Sequence, residues 1–188
     1  AWGRESCTIA DIHAYRPSKH SLSQSQILLR NYTANEARLP MREMVESLVL
    51  ELLQIKAVTK CIHVHIGYAA EDLKSTGGSR TLAHYTDSFQ ELCPAVLALF
   101  DKYKRPHELI RRIAVSFEDL VNKAAVPTEM DLFSNALTDT AEQEEHIQKT
   151  MLNIKGRFGK NAILRASSLQ EEGTMQFRNT LVGGHNGE

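Results

Sequence analysis

The run Thr59-Lys-Cys-Ile-His-Val-His-Ile-Gly67 alternates without a break, placing Ile62, Val64 and Ile66 on one side and Cys61, His63 and His65 on the other. Period-two alternation of this kind marks a half-buried β-strand. Arg111-Arg-Ile-Ala-Val-Ser-Phe117 alternates again and turns Ile113, Val115 and Phe117 inward. Ser21 to Leu29 mixes polar and apolar residues in a way compatible with a first strand, and Gly77-Gly-Ser79 marks a turn. Ser79 to Thr86 is then the returning strand of a hairpin. From Pro40, apolar residues recur at Met41, Met44, Val45, Leu48 and Leu52. That spacing predicts an amphipathic helix to about Ile55 with proline in its first turn. Asp87-Ser-Phe-Gln90 reads as a capped start for a second helix carrying Phe89, Leu92, Cys93, Val96, Leu97 and Phe100. Pro94 either sits in the first turn of a helix that begins near Leu92 or kinks one that begins earlier.

The order strand, helix, strand, strand, helix, strand predicts an α+β fold. It is a ferredoxin-like split βαβ unit, a four-stranded sheet with two helices on one face and the other face open. Residues 1–20 read as an arm without sustained period, 21–122 as the sheet domain and 123–188 as a tail. In the tail, Glu129-Met-Asp-Leu-Phe133 is an apolar pair in a polar setting after Pro127. Thr140 and Gln143 cap a helix with Ile147, Met151 and Ile154 that ends near Gly156, and the last thirty residues read as loop.

Composition narrows the class. The chain has 188 residues, 22 Lys+Arg against 23 Asp+Glu, and 42% hydrophobic residues, which excludes collagen, full-length disorder and a disulfide scaffold. Its three cysteines, Cys7, Cys61 and Cys93, form no CxxC pair and point to reduced thiols in a cytoplasmic setting. The longest strongly apolar run, Leu48 to Leu53, is broken by Glu51 and falls far short of a bilayer span, so no membrane partner is expected. A start at Ala-Trp-Gly-Arg suggests a piece of a longer protein. With net charge −1, a nucleic-acid binder would have to gather its positive charge on one face.

No Ser-His-Asp arrangement, GxSxG elbow, Walker loop or GxGxxG is present, and Glu71-Asp72 and Glu144-Glu145, as adjacent carboxylates, diverge. His63, His65 and His84 have a spacing a metal site could use, but no carboxylate neighbours them in sequence, and no metal is expected. What remains is a set of polar and basic groups for the open face and its edges. They are Ser21, Ser23, Gln24, Ser25 and Gln26 on the first strand, His63 and His65 on the second, Arg80, Thr81 and His84 on the third, and Arg111 and Arg112 on the fourth. Hydroxyls, amides and arginines of this kind position a phosphate backbone without reading sequence. A plainly solvated sheet face is the other reading of the same residues.

Several pieces, in order, resemble the C-terminal part of a Y-family translesion DNA polymerase of the UmuC-like branch. They are Ala1-Trp-Gly3, Tyr15-Arg-Pro-Ser-Lys19, Ser23-Gln-Ser-Gln-Ile-Leu28, the hairpin, Ile110-Arg-Arg-Ile-Ala-Val115, Asp131-Leu-Phe133, and Arg157-Phe-Gly-Lys160 followed by Arg165-Ala-Ser-Ser168. Arg178-Asn179 to Gly183-Gly-His185 is similar to the Gram-positive variant. The resemblance implies that 1–20 is the thumb end and linker, 21–122 the little finger that grips template–primer backbone in damage tolerance, and the rest a tail for protein contacts. It further implies a polymerase parent, cytoplasmic and nucleoid-associated, that uses Mg2+ in a palm upstream of residue 1. This stretch would then hold no cofactor and no catalytic residue. Glu129, Met130, Asp131, Leu132 and Phe133 would bind the bacterial sliding clamp, although Glu129 stands where the motif commonly has Gln and brings no amide donor. An adaptor region recruiting the polymerase to the replication machinery is the alternative reading.

Overall fold

The computed structural model describes residues 7–14, 20–126, 135–182 and 185–186, with backbone alone for 135–141, 182, 185 and 186. A short exposed helix, α1 (Ile9–Ala14), precedes β1 (Leu22–Tyr32), α2 (Ala34–Gln54), β2 (Ala57–Tyr68), β3 (Thr76–Thr86), α3 (Phe89–Tyr103) and β4 (Ile110–Glu118). A two-residue β5 (Val121–Asn122) pairs with the start of β2. The sheet runs β1-β4-β2-β3 with every pairing antiparallel. Each strand–helix–strand unit is therefore split by one strand: β4 lies between β1 and β2, and β2 lies between β3 and β4. This is the expected α+β split βαβ architecture.

The core lies between the sheet and the two helices. Ile62, Val64 and Ile66 of β2 and Ile113, Val115 and Phe117 of β4 are wholly buried against Met41, Met44, Val45, Leu48 and Leu52 of α2 and Leu92, Val96 and Phe100 of α3. Both helices cover the same face, so the alternation read from the sequence sends the intervening side chains to the uncovered side.

Several boundaries differ from expectation: the helix of the tail begins at Asn135 rather than at a Thr140 cap, and three others differ for local reasons. α2 begins at Ala34, not at Pro40, because Thr33 and Glu36 form a capping box. The Thr33 hydroxyl accepts from the Glu36 N–H at 3.4 Å, and the Glu36 carboxylate accepts from the Thr33 N–H at 2.6 Å. Pro40 is thus inside the helix, where its missing N–H removes one intrahelical bond. α3 is capped by Ser88, whose hydroxyl oxygen accepts from the Glu91 N–H, and not by Asp87 with Gln90; it starts early enough to contain Pro94. Gly77 and Gly78 lie within β3, and the chain turns at residues 69–75. A Cβ on Gly78 would fall 2.4 Å from the Tyr103 ring, so the glycine admits an aromatic side chain of α3 onto the strand.

The tail packs on the helices as a third layer. α4 (Asn135–Phe158) lies along α2, followed by a 3-10 turn at Ala166–Leu169, α5 (Met175–Arg178) and a small ladder of β6 (Leu181–Val182) with β7 (His185–Asn186). Glu43 and Glu46 of α2 are only 2% and 3% exposed beneath it. The Thr174 N–H donates to Glu43 Oε2 at 2.9 Å, and Arg165 Nε donates to Glu46 Oε2 at 2.5 Å. Arg178 reaches the Glu43 carbonyl and, at 2.9 Å, the Ser47 hydroxyl. The segment read as loop is therefore docked through a polar seam. Among the described residues no helix is long and apolar enough to cross a membrane.

Candidate nucleic-acid interface

The open face is a grid of small side chains, because directly opposed residues in a sheet share a side. One row across the four strands is Ser23, Ser116, His63 and Ser79; the next is Ser25, Ala114, His65 and Gly77. A third row joins Ile27, Arg112 and Gly67. None of these lies under a helix, and Ile27 is 64% exposed. Three interstrand spacings give a surface about 14 Å across. Apart from the two histidines, Ile27 and Arg112, nothing on these rows is larger than serine.

One end of the grid is basic because β4 contains a bulge. Ile110 pairs with Tyr68 and Arg112 with Gly67, which leaves Arg111 as an extra residue opposite no partner on β2. Ile110 and Ile113 are three apart yet 1% and 0% exposed. Uninterrupted alternation would put them on opposite faces; the bulge lets both face the core. Arg111 and Arg112 are both exposed as a result, side by side. Gly67 makes room for the second, since a Cβ there would sit 3.0 Å from Arg112 Cβ. The other end is acidic: Glu118 opposes Cys61, and Asp119 accepts from the Tyr85 hydroxyl at 3.1 Å. Burial, then Glu118 and Asp119, pushes the Cys61 thiol up.

His65 occupies the middle of this gradient. Burial, then the Arg112 guanidinium and then His63, holds its imidazole below the ordinary histidine range.

The expected set of contacts is divided by this geometry. Ser23, Ser25, His63, His65, Thr81 and the Arg111–Arg112 pair belong to the open side or its basic end. Gln24 and Gln26 do not, because they oppose Val115 and Ile113 and so face the helices. Gln26 Oε1 lies 3.1 Å from the Thr174 hydroxyl, and Gln24 Oε1 is buried without a partner. Arg80 opposes Ile62 and falls on the helix side of the edge strand, where it stays exposed. His84 turns to α3, its Nε2 2.9 Å from Glu91. The three histidines therefore do not converge, and among the described residues no three His, Cys, Asp or Glu side chains are grouped to hold a metal ion. Ser79, Ser116, Ile27 and Gly67 join the face without having been singled out. Strand alternation carries the signal for Ser116 and Gly67, and Ser79 and Ile27 follow from the register. Glu129 to Phe133 and Tyr15 to Lys19 lie outside the described residues.

Comparison with known proteins bears on the same stretch. Residues 19–132, more than half of the chain, match the impB/mucB/samB family C-terminal domain. The protein named Putative UV-damage repair protein UvrX of Bacillus subtilis (strain 168) is 30% identical over 172 residues, covering 88% of this chain and 38% of its own. DNA polymerase IV of Bacillus velezensis (strain DSM 23117 / BGSC 10A6 / LMG 26770 / FZB42) is 30% identical over 125 residues, covering 66% of this chain and 29% of its own. The chain thus spans about a third of the length of the relatives it matches, 38% of the first and 29% of the second. Among solved structures, a ternary complex of Dbh DNA polymerase aligns at TM-score 0.46 and 14% identity over 59% of this chain and 33% of that one. The little finger domain of PolIV in complex with the beta-clamp processivity factor aligns at TM-score 0.42 and 12% identity over 62% and 99%.

Proposed function

The chain belongs to the impB/mucB/samB C-terminal domain family, the C-terminal region of Y-family DNA polymerases, and from that premise we propose that its open sheet face grips the backbone of template–primer DNA. The observation that carries this reading is the bulge that turns Arg111 and Arg112 out together beside a floor of serine, alanine, glycine and histidine. A phosphate backbone is rigid and wide, and it reaches short hydroxyls only where no long side chain holds it off. The guanidiniums supply charge at one end, and Ser23, Ser25, Ser79 and Ser116 supply neutral donors along the rest. Contacts of this sort fix position without discriminating bases. The acidic end at Glu118 and Asp119 repels phosphate and so orients the duplex along the gradient.

The chemistry of nucleotide addition, in this reading, belongs to other parts of the polymerase, and this region contributes hold on the product duplex. The segment Glu129 to Phe133 recruits the sliding clamp through Leu132 and Phe133. Calorimetry of clamp against the chain and against a Leu132→Ala/Phe133→Ala variant tests that part. Unchanged affinity would remove it.

The DNA-binding claim is tested by fluorescence anisotropy of a labelled primer–template across a salt series. Each phosphate contact releases counterions and adds about 0.9 to the slope of log affinity against log salt. Arg111→Ala/Arg112→Ala is expected to weaken binding and to lower the slope by up to about 2. A slope unaltered by the double substitution would contradict the reading.

A further inference from the structure

On the helix side of the sheet a cleft of about 870 Å3 runs between the C-terminal end of α2 with Lys56 just beyond it, residues 122–124 and α4. That is within the ~300–1,000 Å3 of ligand-sized clefts. Leu53, Leu152 and Ala124 give it an apolar floor. Its charges are unequal, four cations (Lys56, Lys123, Lys149 and Arg157) against two carboxylates (Asp87 and Glu145). Both carboxylates are already engaged: Lys123 Nζ lies 2.8 Å from Asp87 and 3.3 Å from Glu145, and Lys149 lies 2.5 Å from Glu145. Lys56 and Arg157, from two different walls, form no ion pair among the described residues. An apolar floor between unneutralised cations matches a ligand that joins apolar surface to negative charge.

We propose that this cleft docks an acidic peptide segment of a partner protein, with an apolar side chain on Leu53 and Leu152 and carboxylates on Lys56 and Arg157. A nucleic acid fits it poorly. No aromatic side chain lines it for base stacking, and Asp87 and Glu145 on its rim oppose a continuous run of phosphates. The helices separate it from the open sheet face, so a bound peptide and bound DNA occupy the molecule together. The cleft is thus a recruitment surface independent of the grip on DNA.

The test uses the whole chain and a fluorescein-labelled synthetic peptide, Asp-Glu-Leu-Asp-Leu-Leu-Asp, with a charge-reversed control, Lys-Arg-Leu-Lys-Leu-Leu-Lys. The acidic peptide is expected to bind at least about tenfold more tightly than the control. Lys56→Glu/Arg157→Glu should weaken it about tenfold, and Lys56→Gln/Arg157→Gln by a smaller but measurable factor. Arg111→Ala/Arg112→Ala should leave it unchanged, and duplex DNA should not compete. Equal binding of the two peptides, or full binding by the glutamine variant, would overturn the proposal. So would loss of peptide binding in the Arg111/Arg112 variant, which would place the peptide on the sheet face instead. If the charge reversal lowers the melting midpoint, the glutamine pair alone decides.

Discussion

His65 faces outward from the centre of the sheet with Arg112 on the neighbouring strand and His63 two residues away on its own. Burial, Arg112 and His63 all disfavour its charged form, so the free chain keeps it neutral to lower pH than an ordinary histidine. The sign for stability follows: the folded chain binds fewer protons than the unfolded chain near pH 6.5, and His65 costs stability as pH falls through that value. A phosphate placed on the face reverses the balance and draws a proton onto the ring. DNA affinity should therefore rise as pH falls from about 8 to 6, with net proton uptake visible as a buffer-dependent binding enthalpy. His65→Gln should flatten both, and a wild-type affinity that is level across that range would rule out the linkage. A second single position probes packing. Gly78→Ala would drive a methyl into the Tyr103 ring at 2.4 Å and should cost about 1–3 kcal/mol by urea denaturation, as overpacking does.

Elements were legible in the sequence to the degree that one face of each is buried. β2 and the inward half of β4 follow from alternation because Ile62, Val64, Ile66, Ile113, Val115 and Phe117 all meet the helices. The bulge was written in the spacing Ile110-Arg-Arg-Ile113, two apolar residues three apart, yet alternation read from Arg111 onward hides it. Proline favours first turns, so Pro40 points to a start of α2 that the T-x-x-E box at Thr33 places six residues earlier, at Ala34. Gly77 and Gly78 read as a turn since nothing local announces Tyr103, a residue that reaches them only in the folded state. The same holds for Gln26 and His84, whose partners Thr174 and Glu91 lie on other elements. The α2 cap makes its own prediction. Thr33→Ala should destabilise the chain by about 1 kcal/mol. Hydrogen bonds from Arg30 and then Thr33 pull the Glu36 carboxyl down to about 2, so its contribution is complete above about pH 4.5 and is lost as pH falls toward 2. Melting midpoints of wild type and Glu36→Gln should separate above pH 4.5 and converge near pH 2; parallel curves would contradict the cap.

The described residues present two different sides. The sheet presents small polar residues and two arginines, and the helices are overlaid by a tail held through Glu43 and Glu46. Arg165→Ala leaves the Glu46 carboxylate buried without its charge partner, and with Arg165 itself about a third exposed the expected cost is about 1–3 kcal/mol in chemical denaturation. That substitution should not alter DNA affinity, since Arg165 is remote from the open face. The division of sides is what the functional reading depends on. The most direct test is a backbone amide NMR titration of the 15N-labelled chain with a short primer–template duplex. Shifts concentrated at residues 23–27, 61–67, 77–81 and 111–116, with α2 and α3 quiet, are the predicted outcome. Shifts centred on α2, α3 or α4 with the sheet rows silent would contradict it.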